Sequence, residues 1–183
     1  MGCNSTKQID HTIPVIKKPL LKKTMIPVLS GSQTDIIKTT WKTIKQYIAN
    51  VGILTFVSMF EEHPEIQHIF ASFRNRKLEE IQKSSLLRAH AMRVMGTVDR
   101  CILCLDGGET IEDIMKELGH VHFQYKLNMN QLKIICPQFL KAVRPYLEGT
   151  WSSEVEDAWN KFFDIILTYM CYHVECAAFV SER

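Results

Sequence analysis

Apolar side chains recur at spacings of three and four residues along most of the chain after residue 31. That period places them on one face of an α-helix, and the alternating period of a β-strand is not developed in any segment. The first such stripe comprises Ile37, Trp41, Ile44 and Ile48. The pattern predicts an all-α domain over residues 32–180, built from seven to eight helices.

Capping and helix-breaking residues set the expected ends of the first helices. Ser32 followed by Asp35 resembles a capping signal, so the first helix is predicted to start there. A second helix is predicted over 52–62, with Pro64 ending it. The preceding residues 1–31 are interrupted by prolines and predict a flexible N-terminal extension.

The second half of the chain contains four further helical stripes. One long helix is predicted from Lys77 to about Leu105, followed by two glycines at 107–108. The next stripe comprises Ile111, Ile114, Met115 and Leu118. The third comprises Leu132, Ile135, Phe139 and Val143. Pro137 should bend this third helix. The last helix is predicted to follow a capping box of Ser153 and Glu156. Its apolar face comprises Trp159, Phe162, Phe163, Ile166 and Met170.

Composition and charge narrow the class of protein. The 183 residues are 46% apolar and 23% charged, as in an ordinary soluble domain. No apolar run approaches the roughly 18 residues of a membrane span, and residues 1–30 lack the apolar centre of a secretory signal. The formal charge of +2 is uneven, because residues 1–31 hold five lysines against one aspartate. The remainder is slightly acidic, which argues against a nucleic-acid partner.

The six cysteines lie mostly within the apolar helical segments. They are Cys3, Cys101, Cys104, Cys136, Cys171 and Cys176. Such placement predicts buried free thiols in a reducing compartment. Redox activity of the pairs 101/104 and 171/176 is an alternative to a packing role, but neighbours three apart on a helix are poorly placed for an unstrained disulfide.

The first six residues, MGCNST, match an acylation signal. Gly2 is the predicted acceptor of myristate after removal of Met1, with Thr6 completing the motif, and Cys3 is a predicted palmitoylation site. One myristoyl chain binds membranes only marginally, so the second chain and the nearby lysines would complete the tether to the inner leaflet. The alternative is a chance occurrence of the motif.

Two histidines lie on apolar helix faces. On a helical wheel, His122 falls near the centre of a sector of roughly 100° that also holds the stripe over 111–118, whereas His120 points away from it. His90 shares a face with Leu86, Leu87, Val94, Thr97 and Cys101. Two such imidazoles on different helices can ligate one metal from opposite sides, as in haem proteins. The alternative for each is a core histidine bonded to a carbonyl.

A zinc site is a further alternative for this region. Cys101 and Cys104, followed by His120 and His122, look superficially like a set of zinc ligands. Zinc-finger histidines are normally three to five residues apart, however, and helical residues two apart point about 200° from each other. The spacing therefore disfavours zinc.

Four stretches are similar, in order and spacing, to motifs of one protein family. They are HPEIQHIFASF at 63–73, LLRAHAMRV at 86–94, LGHVH at 118–122 and WSSEVEDAW at 151–159. Trp41 matches the tryptophan of that family's first helix. Over about residues 32–175 the chain thus resembles a globin. The resemblance implies the globin fold, with its helices around a pocket for haem b (iron protoporphyrin IX).

The resemblance also implies roles for single residues. His122 takes the place of the proximal iron ligand, and His90 takes that of the distal histidine. Phe70 matches the phenylalanine that stacks on the haem, although a core residue is the alternative. Further implied haem contacts are Phe73, Val94 and Leu118. Arg93 and Lys126 are implied to reach a haem propionate, the alternative being ordinary surface charges.

Some features depart from the simplest members of the family. Pro137 is unusual within the seventh helix, and the corner KLNMN at 126–130 offers Leu127 or Met129 where a valine is usual. The N-terminal extension is absent from simple oxygen-storage globins. Its acylatable terminus resembles that of globin X and of acylated invertebrate neuronal globins, which implies a place on the cytoplasmic side of the plasma membrane.

These expectations favour a haem protein in which both histidines bind the iron, which is then six-coordinate. Its predicted work is redox, electron transfer or gas sensing, with O2, NO or another diatomic ligand and an unidentified electron donor or acceptor as partners. Nitrite reduction and superoxide production are outcomes open to such a centre. The alternative is a five-coordinate globin that binds O2 reversibly, and a helical scaffold without haem is a third class.

Overall fold

The computed structural model describes residues 26–181, which form nine α-helices joined by short turns and contain no strand. The helices are α1 (Gly31–Ile44), α2 (Ile48–Glu62), α3 (Pro64–Ile69), α4 (Leu78–Gln82), α5 (Ser85–Leu103), α6 (Ile111–Gln124), α7 (Met129–Lys133), α8 (Ile135–Val143) and α9 (Ser153–Ser181). The predicted all-α class is confirmed. Two of the helices arise because predicted helices are each divided in two, and α3 begins at Pro64, the residue expected to end the second helix.

The first helix starts earlier than its predicted cap. Ser30 is the N-cap: its side chain accepts from the backbone N–H of Gln33 at 3.2 Å, and the Gln33 side chain accepts from the Ser30 N–H at 3.0 Å. The predicted pair of Ser32 and Asp35 therefore lies inside the helix. Ser30 has the extended backbone that a cap requires, with φ −72° and ψ 164°, whereas Ser32 is already helical.

The last helix shows the same kind of shift. The Ser152 hydroxyl accepts from the backbone N–H of Val155 at 3.3 Å, so Ser152 caps α9. The predicted box of Ser153 and Glu156 was wrong by one residue, because α9 already begins at Ser153.

The predicted long helix over 77–105 is broken near its start. Helix α4 ends at Gln82, and Ser84 has an extended backbone, with φ −73° and ψ 133°. The Ser84 hydroxyl accepts from the N–H of Leu86 at 3.2 Å and starts α5 anew. The other predicted end is confirmed, since Gly107 and Gly108 have φ of 101° and 97°, which glycine adopts readily.

The predicted bend at Pro137 is a break placed three residues earlier, at Ile134. A proline ring inside a helix clashes with the carbonyl four residues before it, which here belongs to Lys133, the last residue of α7. Pro137 then lies in the first turn of α8, where no helical carbonyl is available to its missing N–H.

The buried side chains form two hydrophobic cores. The larger core is built mainly by α1, α6, α8, α9 and the second half of α5, and Trp159 and Phe139 lie at its centre. The smaller core lies between α2, α3, α4 and the first half of α5, and it includes Phe56, Phe60 and Phe73. The predicted apolar face of the last helix is confirmed as part of the larger core.

Close helix approach depends on small residues. A Cβ added to Gly52 of α2 would lie 3.1 Å from the Cβ of Ala91 in α5, so glycine lets these two helices cross closely. By length and composition alone, helix α9 is long and apolar enough to cross a bilayer. No segment of this kind was expected from the sequence. Its large side chains fill the larger core, and this packing assigns it a core role.

Candidate functional site

Helix α6 is held firmly before its histidine. Thr110 and Asp113 form a capping box at its start, with the Asp113 N–H donating to the Thr110 hydroxyl at 3.1 Å. Further along, Gly119 allows close contact with α9, since a Cβ added there would lie 2.5 Å from the Cβ of His173. The two ends of α6 thus fix the direction in which His122 points.

His122 is half-buried, and its hydrogen bond defines its tautomer. Its Nδ1 lies 2.8 Å from the carbonyl oxygen of Leu118, one turn earlier. A carbonyl only accepts, so Nδ1 carries the proton and Nε2 keeps its lone pair. This is the state in which an imidazole binds a metal. Leu118 therefore orients His122 through its carbonyl, while His120 is exposed on the other face.

His90 lies in an aromatic corner on α5. Its ring packs edge-on against Phe56 at 5.0 Å and Phe70 at 5.3 Å between ring centroids. The pKa of His90 is lowered to about 4, mainly by burial and in smaller part by the charges of Arg93 and His122. The imidazole is thus neutral near pH 7. His122 belongs to α6, so the two predicted histidines interact electrostatically across two helices.

Arg93 approaches the His90 ring. Its Nη2 lies 3.4 Å from Nδ1 of His90. A guanidinium only donates, so here Nδ1 accepts and the proton of the neutral ring is on Nε2. The two histidines therefore have opposite tautomers. The sequence places Arg93 one turn after His90 on the same helix, but the predicted role of Arg93 was a contact with a haem propionate.

The remaining predicted pocket residues occupy different positions around the histidines. Phe70 is half-buried and stacks on the fully buried Phe73, with ring centroids 5.7 Å apart. Val94, one turn after His90, packs against both cores. Lys126 is exposed just after α6, where its φ of 54° marks a left-handed turn.

Sequence analysis missed Phe56. Its place on a buried face of α2 was visible in the helical period, but the contact between α2 and α5 joins residues far apart in the chain. The predicted lipidation sites Gly2 and Cys3 lie outside the described residues.

The cysteine positions fit packing. Burial raises the pKa of Cys101 and of Cys136 to about 12, and that of Cys171 to about 11. Such thiols stay protonated near neutral pH and behave as small apolar groups. The five cysteines of the described part, residues 26–181, are free.

The donor set fits a haem better than a bare ion. Within residues 26–181, no group of three or more His, Cys, Asp or Glu side chains is placed to hold a metal. His90 and His122 supply two nitrogen atoms at most, and a porphyrin supplies the four further nitrogens that such an iron requires. The aromatic ring of Phe70 and the apolar side chain of Val94 are suitable apolar contacts for a porphyrin ring. These features define a helical protein in which His90 of α5 and His122 of α6 are the candidate ligands of a haem iron.

Comparisons with known proteins agree with this class. The family model for globins matches residues 54–170. Cytoglobin-2 of Danio rerio is 28% identical over 135 residues, which cover 73% of this chain and 75% of that protein. An anaerobic nitrite reductase of Solanum lycopersicum is 26% identical over 154 residues, covering 81% of this chain and 98% of the relative.

Solved structures show the same fold. Ferric myoglobin of Aplysia limacina superposes with a TM-score of 0.68 at 18% identity, covering 78% of this chain and 97% of the myoglobin. The chain belongs to the globin family. The globin fold predicted from the four sequence motifs is thereby confirmed.

Proposed function

We propose that this globin binds haem b through His122 and acts in redox chemistry or gas sensing, with His90 as a second and displaceable ligand. The observation that carries the proposal is the hydrogen bond between His122 Nδ1 and the Leu118 carbonyl, which leaves the lone pair on Nε2 of His122, in the helix that follows the one carrying His90. When bound, haem supplies an iron that changes oxidation state and takes up diatomic gases.

The surroundings of His90 support its role as an exchangeable ligand. Its ring is neutral and is held by edge contacts with two phenylalanines, and its Nδ1 contact with Arg93 is long at 3.4 Å. Such a side chain can rotate without displacing α5. The apparent gas affinity would equal the intrinsic affinity multiplied by the fraction of molecules in which His90 is detached. Electron transfer, in contrast, needs no open position on the iron.

A second candidate is reversible O2 binding with five-coordinate ferrous haem. The Arg93 contact favours it, because the proton is then on Nε2 of His90 and that nitrogen can donate to a ligand in the pocket. In this case His122 alone holds the cofactor. Both candidates use the same two histidines and differ only in what Nε2 of His90 does.

The visible spectrum of the reduced, haem-loaded full chain under argon separates the candidates. Two sharp, split bands would show low-spin iron with both histidines bound, and one broad band would show five-coordinate iron and favour O2 binding. His122→Ala should lose or greatly weaken haem binding, whereas His120→Ala, a change of an exposed neighbour, should leave the spectrum unchanged. An unchanged spectrum in His122→Ala would refute the proposal.

The tomato relative is named as an anaerobic nitrite reductase, which directs one activity assay. We propose that the ferrous protein reduces nitrite, with one electron and two protons converting nitrite into NO and water. His90 competes for the reacting position, so His90→Leu should release NO faster than the parent chain. NO release equal to that of free buffer would exclude this activity.

We further propose that the chain is held on the cytoplasmic side of the plasma membrane by acyl groups on Gly2 and Cys3. The support is the MGCNST start and the lysines that follow it. In cells supplied with a labelled myristate, the parent chain should be labelled and sediment with membranes. Gly2→Ala should abolish both signals, and Cys3→Ser should weaken membrane retention while keeping the myristate label.

A further inference from the structure

The two pocket histidines differ in what their Nδ1 atoms contact. His122 Nδ1 lies 2.8 Å from a carbonyl, which accepts a hydrogen bond from it, whereas His90 Nδ1 lies 3.4 Å from a guanidinium, which donates a hydrogen bond to it. Iron binding through Nε2 requires a lone pair there and hence a proton on Nδ1 of the neutral ring. Only His122 has this arrangement in the structure.

We propose that Arg93 is a positioning residue that opposes the binding of His90 to iron by holding His90 in the tautomer with its proton on Nε2. This inference rests on the proposed haem site. For His90 to bind through Nε2, the proton must move to Nδ1 and the hydrogen bond from Arg93 must break. Arg93 therefore sets the balance between six-coordinate and five-coordinate protein.

The position of Arg93 suits this role. It follows His90 by three residues on α5, so the two side chains lie on neighbouring parts of one helix face. Its side chain is exposed, so it keeps its hydration and remains charged, while the ring that it contacts is half-buried. Around the His90 ring, the packed neighbours Phe56 and Phe70 offer no hydrogen-bonding group, so the Arg93 contact decides the tautomer.

Charge reversal at this position gives the sharpest test. In Arg93→Glu, a carboxylate would accept a hydrogen bond from a protonated Nδ1 and leave the Nε2 lone pair free for iron. Loss of one hydrogen bond and gain of its reverse should raise the ratio of bound to detached His90 by about fivefold or more. Arg93→Lys keeps a donor and should stay within about twofold of the parent. Arg88→Glu, at an exposed arginine of the same helix, controls for the change in net charge.

The measurement is the apparent CO affinity of the ferrous, haem-loaded full chain. Because the protein with detached His90 is the form that binds CO, Arg93→Glu should weaken the apparent affinity, by about fivefold where most His90 is bound in the parent, and Arg88→Glu should leave it unchanged. In a His90→Ala background the same Arg93→Glu change should have less than about a twofold effect, since no distal imidazole remains. An equal effect in both backgrounds would overturn the proposal.

The tautomer itself can be read by nitrogen NMR of the CO-bound protein with 15N-labelled histidine, where His90 is off the iron. The parent should show a protonated Nε2 and an unprotonated Nδ1 for His90, and Arg93→Glu should show the reverse. A protonated Nδ1 in the parent would refute the role of Arg93 while leaving the haem site intact. Failure of the chain to bind haem through His122 would instead refute the proposed function.

Discussion

The close contact of Gly119 with α9 predicts that replacement of glycine by alanine will lower the stability of the protein at Gly119 but raise it at Gly96. In a helix interior, alanine is favoured over glycine by about 1 kcal/mol. At Gly96 in α5, a new Cβ meets no atom within 4 Å, so Gly96→Ala should stabilise the protein by about that amount. The same substitution at Gly119 has to displace α9.

The size of that displacement follows from three distances. The new Cβ at Gly119 would lie 2.5 Å from the His173 Cβ, 3.0 Å from the His173 carbonyl carbon and 3.1 Å from the Val174 nitrogen. Carbon atoms prefer separations of about 3.5–4.0 Å, so α6 and α9 must part by roughly 1 Å. These are backbone and Cβ atoms, and no side-chain rotation relieves the overlap. Overpacking typically costs about 1–3 kcal/mol, which exceeds the gain in helix propensity.

Urea unfolding of the haem-loaded full chain gives the measurement, with both variants compared with the parent. Both variants gain the same helix propensity, so we expect Gly119→Ala to lie about 1–3 kcal/mol below Gly96→Ala in free energy of unfolding. Gly119→Ala should also bind haem more weakly, because the shift carries His122, three residues later on α6. If Gly119→Ala stabilises the protein as much as Gly96→Ala, the close approach of the two helices is wrong.

Two hydrogen bonds between distant segments give further predictions. Thr40→Val should cost about 1–3 kcal/mol by equilibrium unfolding, because it removes the hydroxyl that accepts from the buried Trp159 Nε1 at 3.0 Å. Asp99 accepts from Trp41 Nε1 at 2.7 Å and from Lys45 at 2.9 Å; burial raises its pKa, but these bonds lower it by more. Asp99→Asn should therefore cost about 1 kcal/mol near pH 7. Because the pKa of Asp99 is lowered in the folded protein, the difference from the parent should shrink as pH falls below the ordinary pKa of an aspartate and the parent carboxylate takes up a proton.

Each of these variants has a matched comparison. Thr55→Val removes a buried hydroxyl that donates to the Val51 carbonyl at 2.8 Å, a group that belongs to the same helix, and it should cost less than Thr40→Val. Asp157→Asn changes an exposed carboxylate and should leave the pH dependence of unfolding near that of the parent. Equal losses from the two threonine variants, or a pH-independent loss from Asp99→Asn, would contradict the assigned hydrogen bonds.

The helical class followed from sequence because the apolar period of 3–4 residues is a local property. Helix starts were less certain, since neighbouring serines can each act as caps and the choice depends on which one takes an extended backbone. This accounts for the shift from Ser32 to Ser30 and for the unexpected break at Ser84. Pro137 was noticed, but the clash with the carbonyl four residues before it moved the break.

The places of His90 and His122 on the apolar sides of α5 and α6 could be predicted from two helical wheels, because each histidine interrupts an apolar stripe. The hydrogen bonds of the two histidines could not be predicted from the sequence. The tautomer of His122 depends on a carbonyl of its own helix, and that of His90 depends on the rotamer of Arg93. Contacts between segments far apart in the chain, such as Phe56 with His90, require the packing of α2 on α5 to be known.

The two cores have a consequence for the cooperativity of unfolding. His90 lies on the half of α5 that belongs to the smaller core, whereas α6 with His122 packs on α9 in the larger one. A haem bound by both histidines would thus lie at the boundary between the smaller and the larger core, which otherwise share few side chains. A ligand that binds only when both cores are folded stabilises both of them at once. Calorimetry should therefore show one transition for the haem-loaded chain and a broader or divided transition after haem is removed.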